Sequence, residues 1–260
     1  MSYLQTVVSY NGIDLNTVEG LTVLARDSYK PANRNVGSYG ISRGNKNKVI
    51  TAFYESKQIT IKVGIAQKTR DLLEQSLDKL NAILQGYEED LIIRQSGKDR
   101  KYIATLTKTN ISEDGGSYVN MDLIFELSDI FGYDTYTTTL LNVSNWTGGS
   151  KTTEIIVDGS SVTQLPYISI VYSSVVGGTA KTVRISNEAT GQTLILTRDW
   201  VTGDVLLVDT LNRIITVNGT TIAYTGSYPE FSVGTGYVTV SDDFTSRTYT
   251  MKMTYIKRYV

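Results

Sequence analysis

Apolar residues fall at every second position along much of this chain, and one stretch alone shifts to helical spacing. The cleanest alternation is Tyr118–Leu127, where Val119, Met121, Leu123, Phe125 and Leu127 share one side of an extended strand. Residues 58–65 repeat it with Ile59, Ile61, Val63 and Ile65. Shorter strands are predicted at 4–10, 21–24, 91–94 and 102–106, the first meeting an Asn11-Gly12 hairpin signal. Leu72, Leu73, Leu77, Leu80, Ile83 and Leu84 instead form a stripe with helical spacing. The expectation is one amphipathic helix over 69–85. Thr69 caps it, Asp71 sits in the first turn where the helix dipole favours negative charge, and Gly86 is placed to end it.

The pattern lapses over 128–136, around Gly132, and the domain boundary is placed there. Everything beyond reads as strand: 138–143, 155–157, 168–171, 183–185, 193–196, 205–208, 214–217, 237–240 and 248–256. Turn residues separate these runs at short, fairly even intervals, which argues for a sandwich or barrel. The fold class is therefore mainly β, in two consecutive domains, 1–132 and 133–260.

Between the early strands lies a polar segment, 26–48, with six basic residues against one acid, Asp27. Loops of this length are uncommon unless they have a role, so it is read as an extended arm. Arg34, Arg43, Lys46 and Lys48 are its candidate contacts to a neighbouring subunit or partner surface.

Residues 203–220, GDVLLVDTLNRIITVNGT, hold most information. Two apolar runs flank a polar turn at 209–213, and Asn218-Gly219 supplies a second, tight turn. Each run is apolar on both faces, so both are expected deep inside a packed sandwich. The series continues through Ser227-Tyr228-Pro229-Glu230-Phe231 to a last strand at the C-terminus. In this order the motifs resemble the C-terminal domain of siphophage distal tail (Dit) proteins. The Asn-Gly turn, long polar loop, strands and single helix of the first half resemble that family's N-terminal ring-forming domain.

The resemblance implies a belt domain over 1–132 and a galectin-like or carbohydrate-binding-module-like sandwich over 133–260. The chain is too short for an inserted carbohydrate module, so the compact form is expected. Six copies would form a ring hub at the virion tail tip. The implied partners are the tail tube protein, a tail-associated or tail-fibre protein and receptor-binding proteins, with DNA passing through the channel without specific binding. Alternatives are a host-wall carbohydrate-binding module, with Trp146 or Trp200 as stacking platforms, and a tail-tube subunit.

Composition narrows the chemistry. The chain has 260 residues, 40% hydrophobic and 20% charged, with a net charge of −1, so overall attraction to DNA or anionic lipid is not expected. Histidine and cysteine are both absent, which removes the commonest general base, the commonest metal ligand and any disulfide framework. No cofactor, no metal and no enzymatic activity are expected. Nor is a membrane anchor or secretory signal, which points to synthesis in the bacterial host cytoplasm. Gly40-Ile41-Ser42-Arg43-Gly44 matches a hydrolase nucleophile pattern but lies in a polar loop of a chain with no histidine. Residues 148–153, GGSKTT, lack the Gly-Lys pair of a phosphate loop. Glu88-Glu89-Asp90 and Asp242-Asp243 are read as solvated turns. Tyrosine dominates the aromatics, 18 against 5 Phe and 2 Trp, and suits both strands and buried contacts.

Overall fold

Alternation in the sequence becomes strand almost wherever it occurs. The computed structural model describes residues 6–26, 34–40, 47–54, 56–95, 97–159 and 163–259. The chain divides into two compact units, Met1–Thr135 and Tyr136–Tyr259.

The first unit contains β1 (Val7–Tyr10), β2 (Ile13–Asp14), β3 (Leu21–Arg26), β4 (Arg34–Gly40), β5 (Asn47–Tyr54) and β6 (Gln58–Ala66). Helix α1 (Arg70–Leu84) follows, then β7 (Glu89–Gln95), β8 (Lys98–Asp114) and β9 (Tyr118–Leu127). Strand β10 (Gly132–Trp146) begins here, pairing Tyr133 with Lys101 of β8. The antiparallel neighbours run β3–β6–β9–β8 and β8–β7–β1–β2. One face of β6 and β9 is wholly apolar and buried, from Ile59 to Ile65 and from Val119 to Leu127. Leu73, Leu80 and Leu84 of α1 join the same core.

Local chemistry explains the helix ends. Thr69 is extended, and its side chain accepts from the Leu72 amide at 3.4 Å. Leu77 and Ile83 are only partly buried, and Leu72 lies on the exposed side, so the apolar stripe is narrower than the sequence suggests. Gly86 does not end the helix in a left-handed turn. A side chain there would collide with Glu89, and its carbonyl accepts from the Tyr10 hydroxyl at 2.8 Å. It is glycine for close approach. Gly132 is alike: an added Cβ would lie 2.8 Å from the Tyr102 ring.

Within segment 26–48, β4 and the start of β5 pair antiparallel, with a register shift between Gly37 and Ser38. The ladder corrects the sequence-based expectation of an unpaired arm.

The second unit is a two-sheet sandwich. Its strands are β11 (Ser150–Val157), β12 (Tyr167–Val176), β13 (Lys181–Asn187), β14 (Thr193–Arg198) and β15 (Val205–Asp209). They continue with β16 (Ile214–Val217), β17 (Thr220–Thr221), β18 (Thr225–Gly226), β19 (Gly234–Asp242) and β20 (Ser246–Tyr259). One sheet runs β17–β16–β15–β12–β20–β10, the other β11–β19–β13–β14–β18. Inward residues of both meet in one core, including Ile170, Leu206, Val217 and Met253 from one sheet and Val183, Leu196 and Val240 from the other.

The 203–220 stretch is corrected in one respect. Leu206, Val208, Ile215 and Val217 are buried, but Val205 and Leu207 are half-buried and Ile214 is exposed. Each strand has a core on one side only. Asn218 and Gly219 take φ of 51° and 80°, and Asn11 and Gly12 take 51° and 73°, the left-handed pairs that such hairpins need.

Candidate functional site

Candidate catalytic groups do not converge. Asp242 is buried and ion-paired to Arg247, whereas its neighbour Asp243 accepts the Thr182 amide at 2.7 Å. Asp90 pairs with Lys101 at 2.8 Å, and Glu88 occupies a turn with φ of 53°. These carboxylates brace local structure. Burial pushes the Asp242 carboxyl up, opposed by the hydrogen bond from Arg247. Among the described residues no cluster of acids could hold a metal ion. Ser42 and Arg43 of the hydrolase-like motif lie outside the described residues.

The tryptophans are not stacking platforms. Trp200 is 2% exposed and its indole N–H donates to the Lys181 carbonyl at 3.1 Å. It packs with Tyr172 and Phe244 inside the sandwich. Trp146 is partly buried against the same core, and the Lys151 ammonium lies 4.2 Å from its ring centroid. A sugar ring needs an open aromatic face, and neither residue provides a free one. Sequence could not reveal this, since exposure depends on which strand faces which.

Of the basic residues singled out, Arg34 opens β4 and Lys48 lies on β5, where its backbone pairs with Tyr39. Arg43 and Lys46 lie outside the described residues.

What the first unit does offer is a sheet with two open edges. Among the described residues β3 pairs with β6 alone. Among them, too, β8 pairs with β7 only as far as Ala104, so from Leu106 to Asp114 it has β9 on one side and no ladder on the other. The face of this four-stranded region opposite the core is mostly polar, with Leu24 and Ile124 among its side chains. Lys62 lies 4.0 Å from Asp122 across β6 and β9. Glu113 accepts from the Tyr118 hydroxyl at 2.7 Å and from the Asn120 amide at 3.0 Å. The Tyr118 hydroxyl is held above its ordinary pKa, first by that bond to Glu113. Arg70, at the start of α1, pins Asp114 at 2.8 Å and Glu74 at 3.1 Å. Exposed pairs of this kind orient side chains more than they stabilise. Pattern analysis missed this edge because it stopped the strand at Leu106, where alternation ends; β8 continues with both faces exposed.

Comparison with known proteins adds three findings. No curated protein matches the chain in sequence. The crystal structure of the SPP1 Dit (gp 19.1) protein, described as a paradigm of the hub adsorption apparatus in phages infecting Gram-positive bacteria, superposes with a TM-score of 0.74 at 16% identity, covering 98% of this chain and 99% of that one. A component of the phage P2 baseplate in its activated conformation with Ca gives a TM-score of 0.46 at 12% identity, covering 96% and 97%. The mainly β fold with one helix is thus that of SPP1 Dit over nearly its whole length. The likeness to distal tail proteins read from the C-terminal motifs is borne out where it was seen, for residues 163–259 match the family model of the siphovirus-type tail component, C-terminal domain.

Proposed function

We propose that this chain is a non-enzymatic structural subunit of a siphophage tail-tip hub, with six copies closing a ring through their first units. The observation that carries the ring is the pair of open edges, β3 and the second half of β8, on opposite sides of one sheet. Such edges join head to tail. A head-to-tail interface makes a closed ring when its rotation closes. The polar face would then line the channel. Glu113, Asp122 and Glu126 against Lys62 and Lys108 leave it net acidic, a poor surface for phosphates, as a passage for DNA requires.

Arg34, Arg43, Lys46 and Lys48 are proposed to meet acidic surface on a neighbouring subunit or the tail tube, setting orientation more than affinity. The second unit is proposed as the docking module for the tail-associated and receptor-binding proteins. The ring would sit at the virion tail tip after synthesis in the host cytoplasm.

Electron microscopy tests the reading. Purified protein should show six-fold rings, and antibody-labelled virions a single labelled layer at the tail tip. Label repeated along the tail would make the chain a tube subunit. A protein that stays monomeric at micromolar concentration and leaves the tip unlabelled would overturn the proposal.

A further inference from the structure

Two asparagines in this chain are followed directly by glycine, Asn11 and Asn218, and their turns are near copies of one another. Both asparagines have φ of 51°, and Gly12 and Gly219 have 73° and 80°. All four residues are exposed. Both asparagine backbone amides are anchored, Asn11 to the Asp90 carbonyl at 3.2 Å and Asn218 to the Val205 carbonyl at 3.0 Å. A Cβ added at either glycine would meet nothing within 4 Å, so both glycines face open space. The side chains differ. Asn218 is clamped: its Oδ1 accepts the Val205 amide at 2.9 Å and its Nδ2 donates to Asp204 at 2.8 Å. Asp204 is itself buried, and its other oxygen accepts the Val201 amide at 3.0 Å. Among the described residues no hydrogen bond holds the side-chain amide of Asn11.

That difference bears on a reaction which asparagine-glycine pairs undergo in water. The glycine backbone nitrogen attacks the side-chain carbonyl carbon of the asparagine before it. The new C–N bond closes a five-membered succinimide and the C–NH2 bond breaks. Ammonia leaves with the proton that the glycine amide gives up. Water then opens the ring at one of its two carbonyls, yielding aspartate or isoaspartate. One water is consumed and one ammonia released, with no oxidant and no cofactor. Glycine permits the closure best because it has no Cβ to obstruct it. The asparagine side chain must swing onto the next peptide nitrogen, so hydrogen bonds that hold it elsewhere have to break first.

We propose that Asn11 is a site of spontaneous deamidation in the folded protein, and that the clamp on Asn218 spares the matching turn of the second unit. The product sets a new carboxylate in the β1–β2 hairpin, and isoaspartate also lengthens the backbone there by one atom. The Ser9–Asp14 and Tyr10–Ile13 pairs, which join β2 to β1, lie on either side of the change. β2 stands at the end of its sheet and is two residues long, so it has little else to keep it in register. Chemical ageing of this chain therefore begins at that hairpin. The inference goes beyond the tail-tip reading and does not depend on it.

Peptide mass spectrometry tests it. The purified full chain is held in mildly alkaline buffer, sampled over time and digested, and each asparagine-glycine peptide is scored for the gain of about one mass unit that replaces NH2 by OH. In the folded chain the gain at Asn11 should accumulate at least roughly tenfold faster than at Asn218, because Asn218 must first give up two hydrogen bonds. In urea the clamp is gone and the two rates should converge. Asp204→Ala, with the fold checked by circular dichroism, should speed the reaction at Asn218 and leave Asn11 unchanged. The comparison of folded chain with urea uses the wild type alone, so it decides the matter even if that variant does not fold. A folded chain in which Asn11 reacts no faster than Asn218, or a ratio between the sites that is the same in urea, would overturn the inference.

Discussion

Two buried charges, one in each unit, are held in opposite ways. In the first, Lys57 is 6% exposed, with no ion pair among the described residues, and its ammonium lies 5.7 Å from the centroid of the Tyr102 ring. In the second, Arg247 and Asp242 are both buried and paired. Arg247 also donates to the Phe244 carbonyl at 2.8 Å, and the Phe244 amide donates to Asp242 at 3.1 Å. Tyr172, Trp200, Phe244 and Tyr249 pack edge to face and tilted around one another beside this pair. A paired charge is costly to break. A lone charge is costly to keep. The same kind of substitution should therefore have opposite signs at these two sites.

The largest effect is expected from Arg247→Met. It leaves the Asp242 carboxylate buried and alone, and should destabilise the second unit by about 3–5 kcal/mol. Asp242→Asn should cost less, because burial already favours the neutral form. The pH dependence follows. Asp242 is raised in the folded state, and removing Arg247 removes the groups' main opposing influence, raising it further. A carboxyl raised on folding penalises the folded state once pH exceeds its unfolded value, about 4. The deficit of the Met variant should therefore shrink as pH falls from 7 towards 4. Urea unfolding followed by tryptophan fluorescence measures this, since Trp146 and Trp200 both lie in the second unit. A deficit that grows on acidification would refute the account.

Next in size is Leu80→Ala, which empties a fully buried site beneath α1 and should cost the first unit about 3 kcal/mol. Leu77→Ala, on the partly buried flank, should cost at most about half as much. Helical circular dichroism follows this unit, because α1 lies within it. Equal costs would mean that the helix is rotated on its sheet.

How far the sequence carried the reading differs between elements for physical reasons. Strands with one buried face were plain, because alternation is the direct trace of burial; β6 and β9 are the clearest cases. The cap at Thr69 was equally plain, being set by neighbouring residues. The helix end was misread because Gly86 is neither a turn nor a cap residue here but makes room for Glu89, a tertiary demand. The extension of β8 past Leu106 left no trace because it does not follow the alternation of a buried face. The candidate interface suffers most from this. An open edge is a property of which ladder is missing, and no single residue type marks it.

Lys57→Met should act in the other direction and stabilise the first unit, by about 1–2 kcal/mol. Burial holds the Lys57 ammonium below its ordinary pKa. The sign follows: a lysine lowered on folding costs the folded state most at neutral pH, and that cost fades as pH rises towards the unfolded value of about 10.4. The advantage of the Met variant should be full at pH 7 and reduced near pH 10. Comparing variant with wild type at each pH cancels the tyrosines, which also titrate there. A destabilised variant would mean that the ammonium over the Tyr102 ring contributes more than its burial costs.

The smallest effects should be equal in the two units, and that equality is the sharpest check on the contrast. Gly12 and Gly219 both follow an asparagine in a tight hairpin, with φ of 73° and 80°. A Cβ added at either would meet nothing within 4 Å. Substitution by alanine thus adds backbone strain and no collision, about 1 kcal/mol at each position. Thermal unfolding of Gly12→Ala, followed by the helical signal, and of Gly219→Ala, followed by tryptophan fluorescence, should give the same loss within error. Turn chemistry is local and indifferent to the core beneath it, whereas buried charge depends on every group around it. Should the two glycines differ by more than about 1 kcal/mol, the hairpins themselves would be coupled to their cores, and the opposite responses of Lys57 and Arg247 could no longer be assigned to charge alone.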